Sequence, residues 1–201
     1  TSRGKLAGES VIDALEANFI DLNTKPELIS LSLTGLFGVV HDVRPYLNLC
    51  EKYFGAKEVV VIDDGLASLA GALAGQPGVA LTLGGGVVAV GGNGEKLSHS
   101  DGLGSHFGDE GGGFWLGSRG LARALATRDG RDTQVDLLQL FETEIFEFDK
   151  LESKNGAEAS TLAISCAKKV LESNNPAALA IAAQGAKHLA ATIASAWVKV
   201  G

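Results

Sequence analysis

Asp109 and Glu110 stand in Gly108-Asp109-Glu110-Gly111-Gly112-Gly113-Phe114-Trp115, 22 residues beyond the triplet Gly84-Gly85-Gly86. A further acidic pair, Asp63-Asp64, closes the apolar run Val59-Val60-Val61-Ile62. Residues of these types at loop positions suit phosphoryl transfer. One carboxylate accepts the proton of an attacking hydroxyl. A glycine turn between strands offers backbone N–H groups to phosphate oxygens. A second acid orients a polyol or holds hydrated Mg²⁺. Each feature also has a structural reading. Asp109 caps a helix as Asp often does, Asp64 is a turn residue or a cap for the helix after it, and the glycine triplet is a tight hairpin turn.

Several elements must position these residues. Apolar spacing predicts helices over 12–20, with Ile12, Leu15 and Phe19 on one face, and over 42–54, with Val43, Tyr46, Leu47 and Cys50 inward, Asp42 as N-cap and Gly55 as stop. Leu28 to Leu33 reads as a strand stopped by Thr34-Gly35. The unbroken run 59–62 predicts a central strand covered on both faces. Leu66 to Ala74 is a small-residue helix, and Gly75-Gln76-Pro77-Gly78 is a break. Strands follow at 79–83 and 87–90, then Gly92-Asn93-Gly94 as a type I′ turn and a third strand. Helices are predicted at 116–126, 134–146, 157–171 and 176–198, the last begun by Pro176. Val198-Lys199-Val200-Gly201 reads as the approach to another strand. The order is α/β, with acidic and glycine loops at the carboxyl ends of strands, where open α/β sheets bind ligands.

The chain has 201 residues, is 45% hydrophobic and 20% charged, and carries a formal net charge of −7. No run of basic residues exceeds two, which argues against a nucleic-acid partner. No stretch reads as a membrane span or signal peptide. Cys50 and Cys166 are too few and too far apart for a disulfide framework, and suit reduced thiols in a cytoplasmic protein. The absence of Met and the abrupt ends predict a fragment of a longer protein.

The order Val-Val-Val-Ile-Asp63-Asp64-Gly-Leu-Ala, Gly78-Val-Ala-Leu-Thr-Leu-Gly84-Gly-Gly, Gly102-Leu-Gly104 and Gly108-Asp-Glu-Gly-Gly-Gly-Phe-Trp115 resembles the BadF/BadG/BcrA/BcrD-type ATPase family, most of all its N-acetylglucosamine kinases. The resemblance spans roughly residues 28 to 200. It implies a ribonuclease H-like fold of the sugar kinase and actin type, two lobes around a cleft that takes ATP and Mg²⁺. Residues 1–75 would be the remainder of an N-terminal lobe and 76–201 a C-terminal lobe. The resemblance makes Asp64 the catalytic base and a substrate contact, and Leu103, Gly104, Asp109 and Glu110 the sugar-contacting loop. Gly84, Gly85, Gly86 and Val87 match the second phosphate turn. Gly185 and Ala186 border the nucleotide, or simply make a close helix contact.

Departures from the family pattern are specific. The usual Gly-Thr-Gly-Ser turn is Gly84-Gly85-Gly86-Val87, which loses two hydroxyls at about 0.5–1.5 kcal/mol each. The usual Gly-Gly-Trp-Gly is Asp101-Gly102-Leu103-Gly104, without the stacking indole, and the usual Asn-Asp is Asp63-Asp64. The family's first phosphate hairpin and its adenosine strand are expected before Thr1 and after Gly201. The expected activity is transfer of the ATP γ-phosphate to a hydroxyl of an amino sugar, by a cytoplasmic enzyme that could be a homodimer. Two alternatives are a non-catalytic sugar- or nucleotide-sensing module and an ATPase that activates a dehydratase. The two cysteines do not fit the iron–sulfur site of such an activator.

Overall fold

The computed structural model describes residues 11–16, 25–33, 36, 42–133 and 135–201. The chain forms two compact units, Thr1–Gly71 and Ala72–Gly201.

In the first unit the described elements are α1 (Val11–Glu16), β1 (Leu28–Leu33), α2 (Arg44–Phe54), β2 (Glu58–Asp63) and the start of α3 (Asp64–Leu73). Strands β1 and β2 pair in parallel, Leu28 opposite Glu58 and Leu33 opposite Asp63, with α2 packed on β2. Helix α2 starts two residues later than expected. The Asp42 carboxylate still accepts the Arg44 N–H at 3.0 Å, but Val43 is the capping residue and is exposed, not inward. The apolar face of α2 is Leu49, Cys50 and Phe54. Gly55, at φ 67°, closes the helix in the left-handed conformation that glycine adopts without strain.

Residues 17–20 of the expected first helix, with Phe19, lie outside the described residues, as do the Leu15 side chain and Thr34-Gly35. The expectation that β2 is covered on both faces does not hold. Among the described residues β2 pairs only with β1, and Val60 is 45% exposed while Asp63 is buried. An unbroken apolar run reports that both faces tolerate burial, not that both receive it.

The second unit begins with an antiparallel sheet, β3 (Gly78–Leu83), β4 (Val87–Gly92) and β5 (Leu97–Asp101), in that spatial order. Five helices follow: α4 (Gly113–Arg128), α5 (Val135–Leu140), α6 (Glu142–Lys150), α7 (Ala157–Glu172) and α8 (Pro176–Val198). The β4–β5 connection is not a type I′ turn. Only Gly94 has positive φ there. Instead the Asn93 side chain accepts the N–H groups of Glu95 and Lys96 at 3.0 and 2.8 Å, an Asx-type closure. The expected helix 134–146 is two helices. Phe141 leaves helical geometry at φ −107°, ψ 17° and is completely buried. Gln134 lies outside the described residues.

Helix α7 buries Ala163, Cys166, Ala167 and Val170, the stripe of an amphipathic helix. It meets α4 where a Cβ on Gly117 would collide with the Ala163 carbonyl. Phe141 fills the notch that Gly120 leaves, since a Cβ there would stand 2.9 Å from its ring. Burying a side chain such as Phe141, Leu137 or Val170 contributes about 1.5–3 kcal/mol each. Helix α8 is set by Asn175, whose side chain accepts the Ala177 and Ala178 N–H groups, with Pro176 at its first position. It crosses the sheet, and the Ser98 hydroxyl donates to the Ala196 carbonyl at 2.6 Å. Residues after α8 turn back on it, with the Val200 and Gly201 N–H groups donating to Trp197, where the expected approach to a strand had been read.

Candidate functional site

The β3–β4 turn and the start of α4 form one structure. The Gly113 N–H donates to the Gly84 carbonyl at 2.8 Å, and the Phe114 N–H to the Gly85 carbonyl at 2.9 Å. The first donors of α4, which have no partner inside the helix, are thus satisfied by the glycine turn. Across the turn, the Gly84 N–H donates to the Gly86 carbonyl at 3.0 Å. The N–H groups of Gly85 and Gly86 have no hydrogen-bond partner among the described residues. The backbones meet too closely for side chains: a Cβ on Gly112 would lie 3.1 Å from the Gly85 carbonyl, and one on Gly113 2.9 Å from that of Gly84.

Asp109 is not the helix cap. The cap is Gly112, and Asp109 sits three residues earlier at φ 59°. Its Oδ1 accepts the Val87 N–H at 3.1 Å, which pins the first residue of β4 beside the glycine turn. Its other oxygen lies where a Cβ on Gly86 would be, 2.5 Å away. Asp101, also left-handed at φ 66°, holds Asp109 in turn by accepting its N–H at 2.8 Å. These two aspartates clamp both ends of the loop 102–108. The Gly102 N–H donates to the Val87 carbonyl at 2.8 Å and the Gly108 N–H to Gly104 at 2.9 Å.

The loop so held presents Leu103, 64% exposed, Gly104 and Phe107, 85% exposed. Glu110 is exposed beside it and its Oε2 lies 3.1 Å from Nδ1 of His188 on α8. Of the expected nucleotide residues, Gly84, Gly85 and Gly86 lie together. The Val87 N–H is taken by Asp109 and its side chain is 3% exposed. Gly185 is buried against the loop, where a Cβ on it would lie 2.9 Å from the Leu116 side chain and 3.4 Å from the Gly111 Cα, while Ala186 is exposed. Gly185 therefore has a close helix–loop contact that accounts for its lack of a side chain.

In the first unit Asp63 behaves as the cap: buried, it accepts the Gly65 N–H at 3.0 Å. Asp64 opens α3 half-buried, and its carboxylate has no hydrogen-bond or ion-pair partner among the described residues. The sequence pattern alone did not separate these roles. It also passed over Asp101 and His188. Asp101 could have been suspected from Asp101-Gly102, a turn pair, but His188 carries no local signal.

Two unpaired N–H groups in a glycine turn fit phosphate oxygens. No group of three or more potential metal-ligating side chains is present among the described residues. Mg²⁺ bound with a nucleotide needs only one or two carboxylates beside phosphates and water. Burial raises the Cys50 thiol, and burial together with the Glu144 charge pushes the Cys166 thiol up to about 12. Among the described residues no helix is long and apolar enough to cross a membrane.

Two solved structures are similar. One is titled a "putative N-acetylglucosamine kinase" from Chromobacterium violaceum, with TM-score 0.69 and 23% identity over 92% of this chain and 67% of that one. The other, a protein of the same description from Porphyromonas gingivalis, has TM-score 0.68 and 14% identity over 94% and 64%. The chain thus spans about two thirds of the length of these structures. The fold is α/β of the ribonuclease H-like, sugar kinase and actin-like ATPase type. No curated protein matches the chain significantly. The glycine turn, the acidic loop locked to it and the fold agree with the match of residues 2–201 to a single family, and the chain belongs to the BadF/BadG/BcrA/BcrD ATPase family.

Proposed function

We propose that the protein is an ATP-dependent carbohydrate kinase that transfers the γ-phosphoryl group of ATP to a hydroxyl of an amino sugar such as N-acetylglucosamine. The observation that carries this reading is the β3–β4 turn, with the Gly85 and Gly86 N–H groups unpaired while their carbonyl neighbours are spent on α4. Such donors suit phosphate oxygens and cost no reorganisation when charge develops. Leu103 and Gly104 on the clamped loop, and Glu110 beside it, take the sugar side. Asp109 serves by holding the turn, since its Oδ1 is already engaged.

Asp64 is the base. It removes the proton of the sugar hydroxyl as that oxygen forms a bond to the γ-phosphorus and the bridging P–O bond breaks, releasing ADP. Mg²⁺ bound with ATP would neutralise phosphate charge, with a carboxylate such as Asp64 beside phosphates and water to hold it. The names of the similar structures support the amino sugar as substrate, and the protein would act as a soluble, cytoplasmic enzyme.

A second reading, a sensing module without turnover, is favoured by one observation. Val87 replaces a hydroxyl residue and buries its side chain. Incubation of the full-length protein with ATP, Mg²⁺ and a panel of amino sugars and neutral hexoses separates the two. The kinase reading expects ADP release that requires sugar, with a phosphate mass gained by the sugar. Tight binding of both ligands without ADP release would establish the sensor.

A further inference from the structure

His188 projects from α8 beside the start of α4. Its ring meets the Trp115 ring edge-on at 5.3 Å between centroids, and its Nδ1 stands 3.1 Å from Glu110 Oε2. Its other nitrogen, Nε2, is buried with no hydrogen-bond partner among the described residues. A buried polar atom left unpaired is costly, and such an atom needs a reason. A leucine at this position would pack on Trp115 without that cost. What only the imidazole supplies is a polar ring nitrogen, Nδ1, placed 3.1 Å from Glu110 Oε2.

The neighbouring turn of α8 is fitted to the same loop. Gly111 has φ 88°, and a Cβ there would lie 2.7 Å from the Gly185 carbonyl and 2.8 Å from Leu189. The backbone of the Gly-Asp-Glu-Gly segment is therefore seated on α8 by Gly185 and Leu189. His188, between them in sequence, reaches the one long side chain of that segment. Glu110 is otherwise exposed and has several rotatable bonds, which an unpaired glutamate leaves disordered at an entropic cost on ligand binding.

We propose that His188 is a positioning residue for sugar recognition: it donates Nδ1–H to Glu110 and holds that carboxylate ready for the hydroxyls of the acceptor sugar. The inference rests on the kinase reading, in which the Glu110 loop faces the sugar. It assigns to α8 a role in sugar specificity that is separate from any contact of Gly185 or Ala186 with nucleotide.

The test measures N-acetylglucosamine and non-hydrolysable ATP analogue binding by calorimetry, with thermal melting, on the full-length protein. His188→Leu is expected to weaken sugar binding about tenfold, the worth of one charge-assisted hydrogen bond. ATP-analogue affinity should stay within twofold and melting should be unchanged or higher. His188→Asn, which keeps an N–H donor near the Nδ1 position, should recover most of the loss. In a Glu110→Ala background His188→Leu should cost less than twofold more. Equal weakening of sugar and nucleotide, or a lower melting temperature that His188→Asn does not repair, would make His188 merely structural and overturn the proposal. Normal sugar binding by His188→Leu would overturn it while leaving the kinase reading intact. A wild-type protein that binds no sugar would overturn both.

Discussion

Substituting Gly86 by alanine separates two reasons for a glycine in the β3–β4 turn. The added Cβ would sit 2.5 Å from one Asp109 oxygen and 2.8 Å from its Cγ, where about 3.4 Å is ordinary contact. Gly86 does not have positive φ, so alanine is free of backbone strain there and the collision with Asp109 is the whole penalty. To relieve it the carboxylate must move by up to an ångström and give up the 3.1 Å bond from the Val87 N–H. Loss of a hydrogen bond to a charged group, together with overpacking, amounts to roughly 2–4 kcal/mol. For a unit of this size that is about 6–16 °C in melting temperature. Both tryptophans, Trp115 and Trp197, lie in the second unit, so tryptophan emission during urea unfolding follows that unit selectively. In an Asp109→Ala background the obstacle is gone, and Gly86→Ala should cost below about 1 kcal/mol, a coupling of roughly 1–3 kcal/mol in a double-mutant cycle. Additive effects, with coupling under about 0.5 kcal/mol, would refute the clash as the reason for Gly86. The phosphate role is read separately. If phosphate also approaches Gly86, the double variant should fold yet still bind ATP poorly compared with Asp109→Ala alone.

Other expectations concern single residues. Asp64→Asn should leave sugar binding within about tenfold but lower turnover by roughly 10²–10⁴; unchanged turnover removes Asp64 from the chemistry. Gly117→Ala should destabilise the second unit by more than about 3 kcal/mol, because α4 and α7 cannot keep their approach, and a wild-type urea midpoint would contradict that packing. Cys166, with its thiol pushed up to about 12, has only about 10⁻⁴ of its population as thiolate at pH 8. Its alkylation in the native protein should therefore be negligible and rise only with unfolding; rapid labelling in native buffer would show the site to be open.

The sequence located those elements whose signals are local. Strands 79–83 and 87–90 sit between a Gly-Pro break and an Asn-Gly pair, and α8 starts at Pro176 and runs to Val198 as its composition predicts. What it missed depends on partners distant in the chain. Helical spacing continues through Phe141, yet the chain breaks there because the Gly120 notch on α4 takes the ring. Asp63 and Asp64 are the same residue type side by side, and only the turn geometry makes the first a cap and leaves the second without a partner among the described residues. The glycine loops were legible as a pair of candidate sites from composition and order. That they are hydrogen-bonded to each other, and that Asp109 is the fastener, follows from contacts across 22 residues.

The division of backbone groups in the glycine turn bears on why Gly86, Gly112 and Gly113 carry no side chains. A helix start exposes N–H donors and a partial positive charge that attract anions, but here the Gly84 and Gly85 carbonyls occupy the first donors of α4. An anion at this place cannot take those helix donors unless the turn is displaced. It meets instead the N–H groups of Gly85 and Gly86, which belong to the turn and stay unpaired because its carbonyls are drawn the other way, toward α4. Pairing the turn to the helix thus orients the peptide planes that present the donors. Glycine at 112 and 113 permits the contact, glycine at 86 admits the Asp109 carboxylate, and Asp109 fixes the strand that leaves the turn. The lost hydroxyls of the Gly84–Val87 segment then remove side-chain donors from a cradle whose backbone part is set independently of them. A phosphate should therefore still bind here, more weakly, and replacing Gly85 by a residue that keeps its N–H should weaken binding far less than releasing the turn through Asp109→Ala.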